Sequence, residues 1–127
     1  MILTKLALHN FGIYGGRHEI DLTIQKDKPI ILFGALNGSG KTTLLESIQF
    51  ALFGKNAKFI PKTQTAYLEF LKDSINRKNL DTSASVAVTF ETRKGRSMTS
   101  YQVVRTWSVS TSKSKLDTVQ LFKNGEF

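Results

Sequence analysis

The chain has 127 residues, of which 40% are hydrophobic and 10% aromatic, and it carries a formal net charge of +8 with no cysteine. This length fits one small domain or one lobe of a larger one, so it excludes an enzyme with separate substrate and cofactor domains, and the apolar content excludes wholesale disorder. The absence of cysteine excludes a disulfide scaffold, a CxxC redox site and a thiolate zinc site.

The N-terminal part of the chain has the pattern of two strands. Residues 2–10 predict a strand with an apolar face, and residues 11–16 contain three glycines, which is typical of a turn. Residues 18–24 alternate between apolar and polar side chains, which indicates a half-buried antiparallel strand.

Neither a secretion signal nor a membrane span is predicted. Thr4 and Lys5 interrupt the first apolar residues, and no apolar run approaches the ~20 residues that cross a bilayer. We therefore expect a cytoplasmic protein without a membrane partner.

A strand, a glycine-rich loop and a helix are predicted next. Residues 30–33 form a continuous apolar run of the kind that suits a central strand buried on both faces. Residues 34–40 indicate a loop, and residues 41–53 have helical spacing, with Gly54 as the stop. The predicted apolar stripe of this helix consists of Leu44, Ile48, Ala51 and Leu52, with Leu45 beside it.

The second half of the chain predicts a helix and an antiparallel meander. Residues 65–75 are compatible with a helix, and from residue 84 to 127 the apolar period is two, with turns at residues 93–96 and 124–125. Because the chain stops directly after a turn signal, we expect residues 1–127 to be a single lobe of a longer protein.

The glycine-rich loop contains a phosphate-binding pattern. From Ala35 to Thr42 the order is Ala, four residues, Gly40, Lys41 and a threonine, which is the relaxed form of the P-loop (Walker A) pattern. Gly38 and Gly40 let backbone N–H groups approach phosphate oxygens, and the following helix adds its N-terminal amides. Lys41, the predicted catalytic residue, can contact the β- and γ-phosphates. Thr42 can offer its hydroxyl to Mg²⁺, and Thr43 can add a hydrogen bond to a phosphate.

Hydrolysis of ATP needs more than this loop. An acidic residue after four apolar ones would mark the Mg²⁺-binding strand, but Asp73 follows a helical pattern and Asp117 a polar one. The sequence also contains no LSGGQ-like signature. The expected cofactors are ATP and Mg²⁺. We expect the other residues that hydrolysis needs to lie outside this chain.

At this point the sequence resembles a known family. The strand ending in His9-Asn10-Phe11-Gly12 and the run of residues 29–57 are similar to the N-terminal lobe of SMC-like ABC ATPases, whose P-loop NTPase fold is α/β with antiparallel strands flanking a strand–P-loop–helix unit. Within that superfamily, residues 29–57 resemble most the DndD family of DNA phosphorothioate (sulfur) modification ATPases. The double-strand-break repair ATPases are a more distant resemblance.

The resemblance implies partners and further contacts. Two heads would sandwich two nucleotides, so the expected partners are the chain's own C-terminal lobe beyond a coiled coil, a second head in a homodimer, other DNA sulfur-modification proteins and DNA. By match, residues 37–43 contact nucleotide, which adds Asn37 and Ser39 to the site. The repair ATPases carry an arginine where this chain has Gly12, and no geometric argument makes Arg17 its substitute.

Other interpretations of the chain stay open. It could belong to a repair or phage-defence ATPase, to a small P-loop kinase, or to an interaction module in which nucleotide is only structural. Residues 55–127 carry 13 basic and six acidic side chains, and the turn at residues 93–96, with Lys113 and Lys115, could contact a DNA backbone. His9 and His18 lack a second ligand at metal spacing, and Tyr101 and Trp107 are expected to be sheet residues.

Overall fold

The computed structural model describes residues 1–34, 40–60, 63–76, 83–108 and 117–126. Five antiparallel strands form one sheet, and two helices pack on one of its faces. In chain order the elements are β1 (Ile2–Phe11), β2 (Tyr14–Asp21), α1 (Lys41–Phe53), a 3-10 turn (Gly54–Asn56), α2 (Gln64–Asp73), β3 (Ser83–Lys94), β4 (Ser97–Ser108) and β5 (Asp117–Lys123).

The sheet has the strand order β2-β1-β3-β4-β5. Each neighbouring pair is antiparallel, so the late meander and the two N-terminal strands are confirmed, although β2 covers residues 14–21 rather than the predicted 18–24. The predicted turn at residues 124–125 is confirmed, since Asn124 and Gly125 have φ values of 49° and 83°. Positive φ at both central positions is the type I′ geometry that matches the twist of a hairpin.

The glycine-rich turn between β1 and β2 is shorter than predicted. Of residues 11–16, only Gly12 and Ile13 lie outside the two strands, and β2 begins at Tyr14. Gly12 has a φ of 57°, so one residue in the left-handed region is enough to reverse the chain. The other two glycines, Gly15 and Gly16, are accommodated within β2.

The core lies between the sheet and the helices. Trp107 on β4 is buried, and its ring meets Phe50 of α1 edge-on at 5.0 Å and Phe11 of β1 at 5.7 Å. Its indole Nε1 donates to the carbonyl of Leu71 and to Ser74 Oγ, both at 3.0 Å, at the end of α2. The prediction that Trp107 is a sheet residue is confirmed, and its ring joins β1, β4 and both helices.

Helix α1 has the bounds that the sequence predicted, but its buried face is different. Phe50 and Ala51 are fully buried, whereas Leu44 and Ile48 are only half-buried and Leu45 is 59% exposed. The helix carries apolar side chains around most of its circumference, which is typical of a helix covered from two sides. Among the described residues, the sheet and α2 cover one side of it, where Phe50 meets the ring of Phe70 at 5.2 Å.

The predicted buried strand at residues 30–33 is wrong for this chain. These residues have no regular secondary structure, and Ile30 and Leu32 are 82% and 91% exposed. A strand needs hydrogen-bonding neighbours, and none of residues 30–33 pairs with the five strands of the sheet. The apolar run therefore lies outside the sheet.

Candidate functional site

Four of the predicted site residues lie together at the start of α1. Gly40 is the N-cap residue, buried, with φ 99° and ψ 11°, and Lys41, Thr42 and Thr43 form the first turn. No side chain caps the helix, and its first turn has no acidic residue. The first amides and the partial positive charge of the helix end are thus directed away from the helix, beside the exposed side chains of Lys41 and Thr42.

The other predicted contacts cannot be located in the same way. Ala35, Asn37, Gly38 and Ser39 lie outside the described residues. Their assignment to the nucleotide remains a prediction from the motif and from the resemblance.

The turn between β1 and β2 packs on the start of α1. Tyr14 Oη donates to the carbonyl oxygen of Gly40 at 3.1 Å. A Cβ atom at Gly40 would lie 2.5 Å from Tyr14 Oη and 2.9 Å from Ile13 Cδ1, and a Cβ atom at Gly12 would lie 2.9 Å from Thr43 Cγ2. Both glycines are therefore required by close contact as well as by positive φ.

Sequence reasoning missed Tyr14 and Ile13. They lie more than 20 residues before the P-loop, in a segment that reads only as a turn and a strand. No local pattern links them to Gly40, because their proximity is set by how α1 crosses the sheet.

The same turn is hydrogen-bonded to the residues that follow α2. The N–H of Gly12 donates to the carbonyl of Ser74 at 2.6 Å, and Asn76 Nδ2 donates to the carbonyl of Gly12 at 3.0 Å. Asn10 is buried with a φ of 53°, and its Oδ1 accepts the N–H of Gly16 at 2.7 Å. Hydrogen bonds on both sides thus fix the residues that contact α1.

The opposite end of α1 rests on a partly buried ion pair. Arg105 Nη1 lies 3.1 Å from Asp117 Oδ2, and the two side chains are only 13% and 20% exposed. The guanidinium also covers the ring of Phe50 at 5.3 Å and packs where a Cβ atom at Gly54 would lie 2.9 Å from Arg105 Cζ. A cation at this end complements the negative pole of the helix.

A tyrosine of α2 completes this cluster. Tyr67 Oη donates to Asp117 Oδ2 at 2.6 Å. Burial raises the pKa of the Tyr67 hydroxyl well above its ordinary value, and the hydrogen bond and negative charge of Asp117 raise it further. Tyr67 therefore stays protonated as a donor, linking α2 to the β4–β5 pair.

An apolar groove runs along α1 beside Lys41. It encloses about 200 Å³ and lies between the first turns of α1 and the strands β1 and β2. Apart from Lys41, its lining is hydrophobic: Leu6, Ile20, Leu22, Phe33, Leu44, Leu45 and Ile48. The exposed run of residues 30–33 therefore borders the groove at Phe33.

Arg17, His18 and Tyr101 each have a structural contact within the sheet. Arg17 is 74% exposed and pairs with Glu19 at 2.7 Å, a hydrogen bond that lowers the pKa of the Glu19 carboxyl. The ring of His18 meets Tyr14 edge-on at 5.4 Å, and Tyr101 stacks on Phe90 at 5.5 Å. The structure thus gives Arg17 no place at the P-loop helix.

Comparison with known proteins identifies the family. The sequence profile of the AAA domain matches residues 5–127, which is almost the whole chain. The chain belongs to the AAA domain family. No helix among the described residues of this AAA-domain chain is long and apolar enough to cross a membrane.

The AAA-domain chain is similar in sequence to parts of two longer proteins. It is 43% identical over 51 residues to the SbcC component of nuclease SbcCD from Vibrio cholerae, a match that covers 40% of this chain and 5% of that protein. It is 28% identical over 102 residues to DNA replication and repair protein RecF of Natranaerobius thermophilus, covering 77% of this chain and 25% of that protein. The chain thus spans a small fraction of the length of these relatives.

The fold has a known structural counterpart. The SMC head domain from Thermotoga maritima matches with a TM-score of 0.55 and 24% sequence identity, over 99% of this chain and 38% of that one. The predicted α/β ATPase-lobe fold is confirmed, because the AAA-domain chain and the SMC head share it.

Proposed function

We propose that this AAA-domain chain is the ATP-binding N-terminal lobe of an SMC-like ATPase that acts on DNA. The observation that carries the proposal is the start of α1, where a buried Gly40 at positive φ is followed by Lys41 and Thr42 with exposed side chains and by helix amides that no side chain caps. This combination favours an anion with several phosphates.

The residues present fit Mg-ATP. The Lys41 ammonium would contact the β- and γ-phosphates, and the first amides of α1 and Thr43 Oγ1 would donate to phosphate oxygens. Thr42 Oγ1 would be a ligand of Mg²⁺, which when bound neutralises phosphate charge. Glycine is required at position 40 because any side chain there would collide with Tyr14.

Turnover requires a second lobe. Leu45 on α1 and Phe33 line the groove at Lys41, and Phe53 and residues 30–32 are further exposed apolar surface. Their arrangement favours burial under the protein's own C-terminal lobe, in which residues 30–33 become a strand. We therefore expect this lobe alone to bind Mg-ATP weakly and hydrolyse little, with hydrolysis on assembly with the C-terminal lobe and a second head.

The basic hairpin supports a role on DNA. Arg93, Lys94 and Arg96 surround the turn between β3 and β4, and all three are exposed. Such residues contact phosphates without reading sequence, so the affinity for DNA would fall steeply with salt. Charge reversal at Arg93 and Arg96 is expected to remove that binding.

The process that the ATPase serves is proposed from residues 29–57. Their resemblance favours DNA phosphorothioate modification together with other sulfur-modification proteins. A second candidate, DNA repair, is favoured by the similarity to nuclease SbcCD and to RecF. Deleting the gene and measuring phosphorothioate linkages in the host DNA separates the two, because only the first candidate predicts their loss.

The nucleotide site is tested by replacing its lysine. Lys41→Ala is expected to weaken Mg-ATP binding by at least about tenfold, because a charged hydrogen-bond donor to the phosphates is lost. Lys55→Ala is the matched control, since Lys55 is an exposed lysine beyond the other end of α1. Calorimetric titration of both variants gives the two affinities. Unchanged ATP affinity in Lys41→Ala would contradict the site assignment.

A further inference from the structure

We propose that Tyr14 is a positioning residue for phosphate binding, which fixes the orientation of the peptide between Gly40 and Lys41. The inference rests on the proposed function of α1 as a phosphate site, and it adds a residue that the P-loop pattern does not contain. Tyr14 itself contacts no phosphate in this proposal. It acts through one backbone carbonyl.

The carbonyl oxygen of Gly40 is held by two donors. Leu44 N–H donates to it at 3.0 Å, as the first hydrogen bond of α1, and Tyr14 Oη donates at 3.1 Å from the side of the sheet. Gly40 is buried beneath Tyr14 and Ile13, with contacts so close that they exclude a Cβ atom. Tyr14 therefore restricts the direction of the Gly40 carbonyl more than the hydrogen bond from Leu44 does alone.

Peptide geometry carries this constraint to the phosphate site. The carbonyl of Gly40 and the N–H of Lys41 belong to one planar trans peptide, and in such a peptide the two groups point in opposite directions. The N–H of Lys41 is one of the first amides of α1, which have no partner within the helix. Holding the oxygen toward Tyr14 therefore directs this N–H away from the tyrosine, toward the predicted phosphate position.

Tyr14 is itself held in place. It is the first residue of β2 and pairs with Phe11 across the turn, and the ring of His18 packs against it edge-on at 5.4 Å. The turn that precedes it is hydrogen-bonded to Ser74 and Asn76. A donor supported on all these sides loses little freedom when ligand binds, which is the condition for a preorganised site.

The test removes one hydroxyl at a time. Tyr14→Phe keeps the ring and deletes only the donor, and Tyr67→Phe is the matched control, because it also deletes a tyrosine hydrogen bond but one to Asp117. Binding of Mg-ATP and of Mg-tripolyphosphate is measured on the purified protein. We expect Tyr14→Phe to weaken both ligands roughly three- to tenfold, as for the loss of one neutral hydrogen bond, and Tyr67→Phe to weaken neither.

The two probes separate a phosphate effect from a base effect. Weaker ATP binding with unchanged tripolyphosphate binding would mean that Tyr14 contacts the base or ribose, and the proposal would be overturned. It would also be overturned by unchanged affinity for both ligands. If Lys41→Ala loses binding while Tyr14→Phe does not, only this inference fails. If the wild-type protein binds neither ligand, the proposed function fails with it.

A second measurement removes dependence on overall stability. In nucleotide-free Tyr14→Phe, the amide of Leu44 is expected to exchange its hydrogen faster than in the wild type, because Tyr14 no longer holds the Gly40 carbonyl that accepts it. The amides of the β3–β4 pair serve as internal reference and are expected to keep their rates. Equal acceleration everywhere would indicate global destabilisation and overturn the positioning role.

Discussion

Among single residues, Gly12 shows how closely the turn between β1 and β2 approaches α1. Its φ of 57° and the 2.9 Å that would separate a Cβ atom from Thr43 Cγ2 leave no room for a side chain. By resemblance, repair ATPases place an arginine at this position. In this chain the helix start occupies that space, so the departure from the family pattern has a steric explanation.

A pair of glycine variants measures this contact. Gly12→Ala and Gly16→Ala both place a side chain at positive φ, but a Cβ atom at Gly16 meets nothing within 4 Å. We expect Gly16→Ala to lower the free energy of unfolding by about 1 kcal/mol and Gly12→Ala by about 2–3 kcal/mol, since strain and overpacking add. Urea denaturation of the two variants provides the comparison. Equal losses would mean that the contact with Thr43 relaxes without cost.

The sequence predicts one side of the candidate site and misses the other. Lys41 and Thr42 belong to a local pattern, so their place at a helix start could be read without knowing the fold. Tyr14 and Gly12 act through contacts with Gly40 and Thr43, which lie far along the chain. Such contacts depend on tertiary packing, which no spacing rule encodes.

At the scale of elements, α1 is held at both ends. The turn before β2 packs on its first residues, and the ion pair of Arg105 and Asp117 lies at its last turn, against Phe50 and Gly54. The two sets of contacts come from opposite sides of the sheet, β2 and β4–β5. The helix is therefore held by contacts from both edges of the sheet.

The ion pair at the end of α1 is expected to matter for stability. Arg105→Met leaves the mostly buried carboxylate of Asp117 with the Tyr67 hydroxyl but without its cation, and we expect a loss of about 2–4 kcal/mol. Arg17→Met is the control, because its ion pair with Glu19 is exposed, and we expect a change of at most about 0.5 kcal/mol. Chemical denaturation measures both. A similar, small effect of the two substitutions would refute the structural role of Arg105.

Predicted elements are correct where their stabilising contacts are local. The bounds of α1 follow from Gly40 and Gly54 at its two ends, and the meander follows from alternation and from turn residues. The strand predicted at residues 30–33 is wrong because burial on both faces requires neighbours that the described sheet does not provide. A run of apolar residues predicts burial, but it does not show which element buries it.

For the molecule as a whole, the uncovered side of α1 supports the proposed second lobe. The sheet and α2 cover one side of the helix, while Leu45, Phe53 and the run of residues 30–33 remain exposed. An apolar surface of this kind marks an interaction site. Because Phe33 and Leu45 line the groove at Lys41, the proposed second lobe would lie next to the proposed nucleotide site.

This assembly is testable with two exposed apolar residues. Leu32→Glu introduces a charge at the centre of the run, and we expect it to prevent association with the protein's own C-terminal lobe, because the charge would be buried unpaired. Met98→Glu is the control, since Met98 is exposed near the hairpin of β3 and β4. Co-purification of separately expressed lobes, followed by light scattering, reports association. Loss of association in both variants would place the interface elsewhere.

The central pairing of β1 with β3 is expected to set the folding step at which the proposed nucleotide site forms. The other neighbouring strands of the sheet are consecutive in the chain, whereas Thr4 Oγ1 of β1 donates to the carbonyl of Thr89, 85 residues further along. Hairpins form within about 1–10 μs, and closing a long loop is slower because its entropy is lost before its contacts form. The loop that this pairing closes contains α1 and α2. We therefore expect ATP binding to appear only in the last step of folding, when the two halves of the sheet join.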